Sequence, residues 1–358
     1  MTETPDPTRA PGAPHPSDAP TLIGQEAAER TVRDALAEGR PHHAWLIVGP
    51  RGTGKATLAW RIARHLVAGG GAAETLDMDP EHPVARRIRA GSEPNVHVLR
   101  RTYDEKAKRL PTEIRVDDVR ALRSKLTLGA ADGGNRAVIV DAADEMNVAA
   151  ANALLKLLEE PPSGVTFLLI AHAPTRLLPT IRSRCRELRL APLSPDDVGA
   201  VLSGMGLSPD PAATVLAGGS AGEALRMAAL GGPALYGKLI DLVATAPGMD
   251  RKGMVAFAEG SARRDKPETL DLALHLIDLL LSRLARAGLG ALGDRQAAKG
   301  EALALAKLSP GPAAARAWAD LQQELSERGR RAQAVNLDPA ALLLDTLARI
   351  DETARRLA

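Results

Sequence analysis

The sequence predicts an α/β chain that becomes all-helical beyond about residue 190. Three observations predict it. Short apolar runs alternate with amphipathic helical stretches as far as Leu190. A glycine-rich loop stands between the first such run and the helix after it. Past Ser194 the apolar residues recur at helical spacing only.

The elements follow in order. Glu26 to Glu38 reads as a helix with Ala27, Ala28, Val32, Ala35 and Leu36 on one face, and Gly39 ends it. Trp45 to Val48 is a buried strand, and Thr57 to Ala68 the next helix, stopped by Gly69 to Gly71. Ala72 to Lys108 reads as irregular apart from a candidate strand at Val96 to Leu99. Val116 to Leu126 is a helix capped at or just before Asp117, and Ala137 to Val140 a second buried strand. Val148 to Glu160 is a helix with Asn147 as its cap and Pro161-Pro162 as its terminator. Val165 to Ala171 and Arg186 to Leu190 are strands. Strands alternating with helices predict a parallel sheet covered on both faces. Helices are expected at 194–205, 210–217, 222–229, 235–245, 270–287, 312–328 and 339–358. The expected domains are a tail over 1–20, an α/β domain over 21–191, a small helical unit over 192–232 and a helical domain over 233–358.

Composition excludes several classes. The chain has 358 residues, of which 45% are hydrophobic, enough for a sizeable core. No apolar run reaches about 18 residues, so no membrane helix is expected. Residues 1–20 lack the apolar centre of a signal peptide. The single cysteine, Cys185, excludes an internal disulfide and a multi-cysteine zinc site. A cytoplasmic location is expected. A net charge of +2 is too balanced to argue for nucleic-acid binding, and with aromatics at 2% a base-stacking surface is not expected. His42-His43 has no third ligand nearby and is assigned a structural place before the first strand.

Residues 49–56 read Gly-Pro-Arg-Gly-Thr-Gly-Lys-Ala between a strand and a helix. That context is the one a phosphate-binding loop requires, with backbone N–H groups and a helix N-terminus converging on phosphate oxygens. Gly49, Gly52, Thr53, Gly54, Lys55 and Thr57 are therefore the candidate nucleotide-binding residues, with Lys55 reaching the β- and γ-phosphates. The Ser or Thr that normally ligates Mg²⁺ at the loop's end is replaced by Ala56, and Thr57 lies about 100° further round the helix. Asp141 ends the apolar run 137–140 and could hold magnesium through water. Ala142 stands where a water-polarising glutamate would follow, and Asp144 and Glu145 read as surface acids.

The order of these motifs, the stretch Asn152 to Pro162 and the triplet Ser183-Arg184-Cys185 resemble the clamp-loader branch of the AAA+ ATPases, and most nearly its delta-prime family in bacterial DNA polymerase III. His42 to Trp45, Val116 to Arg120 and Asn336 to Pro339 add to the likeness, which is strongest over about residues 22–190. The resemblance implies a RecA-like AAA+ domain, a helical lid and a helical collar. It implies that Arg184, with Ser183, supplies an arginine finger to the ATP site of a neighbouring subunit. It implies a five-membered ring with gamma/tau and delta subunits that loads a sliding clamp on primed DNA, within a DNA-directed DNA polymerase holoenzyme. The sensor-1 polar position falls at about Ala171 and the sensor-2 arginine position at Gly222. With Ala56 and Ala142, these departures predict a stator that does not hydrolyse ATP by itself, with ATP binding weak or non-productive, Mg²⁺ held poorly and zinc not expected. The alternative is an ATP-hydrolysing subunit of the gamma/tau type.

Overall fold

The computed structural model describes residues 13–19, 21–39, 42–103, 108–127, 134–263, 267–293, 295–334 and 338–358. They form two compact units, one over 1–207 with 219–222 and one over 208–218 with 223–358.

The first unit is built on five parallel strands: β1 (Ala44–Val48), β2 (Val96–Arg100), β3 (Arg136–Asp141), β4 (Val165–Ala171) and β5 (Arg186–Arg189), in the order β2-β3-β4-β1-β5. Strands β1 and β4 are buried throughout, and β3 up to its last residue. Both faces of the sheet must therefore be covered, and that is why these strands are runs of Val, Ile and Leu rather than alternating sequences. The edge strands β2 and β5 carry His97, Arg100, Arg186, Glu187 and Arg189, charges and polar groups that discourage further strand pairing.

Helices α1 (Glu26–Ala37), α2 (Lys55–Val67), α3 (Pro83–Arg89), α4 (Val116–Thr127), α5 (Val148–Glu159), α6 (Pro179–Arg182) and α7 (Pro195–Gly204) complete this unit. Because strand side chains alternate, one face sends Trp45, Ile47, Ile139, Leu168 and Ile170 against α1 and α2. The other sends Leu46, Val138, Val140, Phe167 and Leu169 against α4 and α5.

The segment 72–108, read as irregular, holds α3. Pro83 pre-sets its first turn and the His82 side chain accepts from Val84 N–H, but seven residues are too few to display a period. Helix α2 begins two residues before the expected Thr57, because Gly54 caps it in the left-handed region. At the start of α4 it is Asp118, rather than Asp117, that closes the turn, accepting from Arg115 N–H at 2.9 Å. Part of the segment read as a tail also packs. A single 3₁₀ turn at Pro16–Asp18 lies on α2, where Arg64 donates to the Ser17 and Ala19 carbonyls and His15 meets Trp60 edge-on.

No strand follows β5 among the described residues. The second unit contains α8 (Pro211–Leu216), most of α9 (Ala221–Ala229), then α10 (Gly232–Val243), α11 (Arg251–Ser261), α12 (Pro267–Ala287), α13 (Glu301–Leu308), α14 (Pro312–Ala334) and α15 (Pro339–Leu357). Its core gathers Tyr236, Leu276, Leu280, Trp318, Leu343, Leu347 and Ile350. Helices α11 and α13 were not expected. Gly253 and Gly260 punctuate α11 and suppress its pattern, and the Ala-Leu run of α13 shows no polar face to read. Among the described residues no helix is long and apolar enough to cross a membrane.

Candidate functional site

The carboxyl ends of β1, β3 and β4 lie side by side, with Val48 beside Ala171 and Asp141 beside Ile170. The glycine loop leaves β1 at this edge, so the sheet itself brings Lys55, Asp141 and the residue after β4 to one place, the usual position for a ligand in an open parallel sheet. Gly49 needs φ +148°, and a Cβ there would lie 2.5 Å from the Leu190 carbonyl. Thr53 is buried with its hydroxyl on the Pro50 carbonyl. The Gln25 side chain donates to the Thr53 carbonyl at 3.2 Å and to that of Ala191 at 2.8 Å, tying the loop to the end of the sheet.

Lys55 is 3% exposed. Its ammonium donates to the carbonyl of Gly49 at 2.7 Å and to that of Pro50. Burial lowers its pKa to about 8, with Arg51 adding to the shift and Asp141 and Asp144 opposing it. The loop is closed from above as well. The Ala221 N–H donates to the Gly52 carbonyl at 3.2 Å, and a Cβ on Gly52 would fall 2.0 Å from the Ser220 hydroxyl. Gly222, the position expected to lack a sensor arginine, lies beside Gly52 and brings no side chain to it. Thr57 is the third residue of α2, and Ala56, half-buried before it, packs on the α1/α2 core.

Asp144 and Glu145, read as surface acids, are bound in place. Asp144 accepts from the backbone N–H groups of His172 and Ala173 at 3.0 and 2.9 Å, stapling the end of β3 to the end of β4. Glu145 pairs with Arg51 of the loop at 3.1 Å and with Arg101 at 2.6 Å. Charges spaced through the sequence meet here because parallel strands deliver their ends to one edge. Ala142 is buried and offers no base. The polar side chain at the end of β4 is that of His172, one residue beyond the expected Ala171. Burial lowers its pKa to about 4, helped by Lys55 and Arg51. An unfolded histidine titrates near pH 6.5, so as pH falls the unfolded chain takes up this proton first. Stability from this group is intact above about pH 6.5 and fully lost below about 4. Between pH 7 and pH 5 the protein should lose about 2 kcal/mol that a His172→Asn variant keeps, as read by urea denaturation at the two pH values.

The triplet Ser183-Arg184-Cys185 follows the one-turn helix α6 and leads into β5, so it stands at the amino ends of the strands, the opposite edge of the sheet from the glycine loop. The Thr180 carbonyl accepts from Ser183 Oγ at 3.1 Å and from Arg184 Nη1 at 2.9 Å. Arg184 Nη2 pairs with Glu159 Oε1 at 2.7 Å, the two side chains being 36% and 42% exposed. Glu159, the last residue of α5, escaped the sequence reading, where it served only as part of a helix end. Cys185 packs half-buried on the α4/α5 core, and burial pushes its thiol up to about 12. His42 and His43 stack at 4.6 Å. His42 bonds to Ala44 at the mouth of β1, and His43 Nε2 bonds to the Leu158 carbonyl at the end of α5.

Residues 24–194 match the family model described as DNA polymerase III, delta subunit. A stretch of 143 residues, 40% of this chain, is 43% identical to DNA polymerase III subunit delta' of Pseudomonas aeruginosa. A stretch of 185 residues, 52% of this chain, is 30% identical to the delta' subunit of Bacillus subtilis. Over this stretch the chain is similar to the delta-prime subunits of bacterial DNA polymerase III. The chain spans 41% and 53% of the length of those two relatives. It is also 33% identical over 189 residues to DNA polymerase III subunit gamma/tau of Mycobacterium tuberculosis, covering 52% of this chain and 31% of that protein. The stretch matched by the family model contains the loop at 49–55, Asp141, Ser183 and Arg184, and stops short of Ser220 and Gly222.

The cradle can be compared with what a nucleotide needs. The loop backbone and Lys55 suit a phosphate anion. The Mg²⁺ half of the site fits poorly, since Ala56 brings no hydroxyl to stand with the Asp141 carboxylate. The volume above Gly52 is taken by Ser220.

Proposed function

We propose that the chain is a clamp-loader subunit that gives structure and one cation to a neighbour's nucleotide site and does not hydrolyse nucleotide itself. One contrast carries this reading. Lys55 is buried and donates to its own loop, whereas Arg184 is presented on an exposed turn at the end of the sheet. A guanidinium so placed can neutralise charge developing on a γ-phosphate held by another chain. Where a nucleotide does enter the cradle, the loop backbone and Lys55 would hold its phosphates. A bound Mg²⁺ would supply charge neutralisation to the phosphates. This chain contributes Asp141 toward it and neither a ligating hydroxyl nor a base.

The partners in this proposal are the gamma/tau and delta subunits of a five-membered ring, and through the ring a sliding clamp and primed DNA. The chain would serve DNA replication as part of the polymerase III holoenzyme. One observation favours an ATP-hydrolysing subunit instead: Lys55 and the loop glycines are retained beside a 33% identity to a gamma/tau protein.

Steady-state ATPase of the purified chain decides between the two. The expected result is turnover at background, with Lys55→Ala changing the rate of a reconstituted complex less than about 2-fold. Turnover equal to that of a gamma/tau subunit, abolished by Lys55→Ala, would overturn the stator reading.

A further inference from the structure

We propose that Glu159 is the positioning residue of Arg184, holding its guanidinium ready for the terminal phosphate of a nucleotide bound by the neighbouring subunit. This rests on the reading of Arg184 as a residue that acts across an interface.

Two elements grip Arg184 from different sides. Its own turn supplies the Thr180 carbonyl to Nη1 at 2.9 Å, and the end of α5 supplies Glu159 Oε1 to Nη2 at 2.7 Å. A guanidinium has five N–H donors, and these contacts use one on each terminal nitrogen. The Nε–H and one N–H on each Nη remain for phosphate oxygens. A long side chain on an exposed turn would otherwise sample many rotamers, and a displacement of about 1 Å costs a reacting arrangement on the order of 100-fold.

Glu159 is itself well founded. Leu157 and Leu158 before it are buried. The Leu158 carbonyl bonds to His43 Nε2 at 3.1 Å, and Glu160 N–H closes the helix on Lys156. A line of contacts thus runs from the mouth of β1 through His43 and the end of α5 to the guanidinium. The pair contributes little to folding, since exposed ion pairs are worth roughly 0–1 kcal/mol. Its use is orientation. Because the carboxylate stands partly in water, the guanidinium can pass to a phosphate without stranding a buried charge.

The test uses the full-length chain in the reconstituted complex, with kcat and KM for ATP measured for Glu159→Ala, Glu159→Gln, Arg184→Ala and Glu159→Ala combined with Arg184→Ala. Glutamine keeps an acceptor oxygen at the same reach. The expected result is a loss of about 10-fold in kcat for Glu159→Ala, with KM within about 2-fold and recovery to within about 3-fold in Glu159→Gln. Adding Glu159→Ala to Arg184→Ala should change nothing further, because the residue acts only through the arginine. A full effect of Arg184→Ala with none from Glu159→Ala overturns the positioning role and leaves the finger standing. So does a Glu159→Ala loss that persists in the Arg184→Ala background. No effect from Arg184→Ala removes both readings at once. Assembly and melting temperature, measured on the same samples, should match the parent chain.

Discussion

Replacing Arg184 by alanine should slow hydrolysis at the neighbouring nucleotide site by about 10³-fold, the lower end of what a trans-acting arginine supplies. Single-turnover hydrolysis is the measurement, in a complex whose neighbour is the one subunit with a competent site. The size of the effect follows from where the charge acts. A guanidinium at the rim of a water-excluded phosphate site meets negative charge that grows in the transition state, and its field there is far stronger than in bulk water. The same substitution should leave the fold alone. Its ion pair with Glu159 is partly exposed, worth at most about 1 kcal/mol, so the melting temperature should move by no more than roughly 4 °C. A large kinetic effect with a small thermal one separates a role in chemistry from a structural ion pair.

Glu301→Ala should produce the largest loss of stability. Glu301 is fully buried and accepts from Arg283 Nε at 2.5 Å, from the Tyr236 hydroxyl at 2.7 Å and from Ala297 N–H at 2.6 Å. These contacts join α10, α12 and the turn before α13 inside the second unit. Burial holds the Tyr236 hydroxyl protonated well above the ordinary range, and the Glu301 charge adds to the shift. Truncating the glutamate leaves the buried Arg283 without its counter-charge, a change that costs about 3–5 kcal/mol. Calorimetry should show a drop on the order of 10 °C. Replacing both partners at once, as Glu301→Leu with Arg283→Met, should restore most of the loss, since no uncompensated charge remains. If the double variant is as unstable as the single one, the cost lies in packing and the charge argument fails.

The sequence displayed the parallel sheet plainly, because a strand buried on both faces leaves an unbroken apolar run and the glycine loop stands directly after one. The site was legible where a motif is local. Residues 49–55 and 183–185 lie in short segments with characteristic neighbours, and the structure places the first directly after β1 and the second between the one-turn helix α6 and β5. What could not be read were pairings between distant positions. Glu145 meets Arg51 and Arg101 and Asp144 staples the end of β4 because the sheet brings their elements together, and the turn before α9 lays Ser220 over Gly52. No spacing in the chain encodes those meetings. Glu159 was hidden differently, since a glutamate before Pro-Pro already has a sufficient explanation as a helix end.

The burial of Cys185 gives the chain a practical property. A thiol raised to about 12 holds on the order of one thiolate in 10⁵ at pH 7, against a few per cent for an ordinary cysteine. Maleimide and iodoacetamide reagents attack the thiolate, so the native chain should react with them far more slowly than a chain carrying an exposed cysteine. A single cysteine engineered on an exposed helix would therefore take a fluorophore or spin label with little background and no need to remove the native residue. Distances reported from such labels could follow the turn that carries Arg184 while its surroundings keep their natural composition.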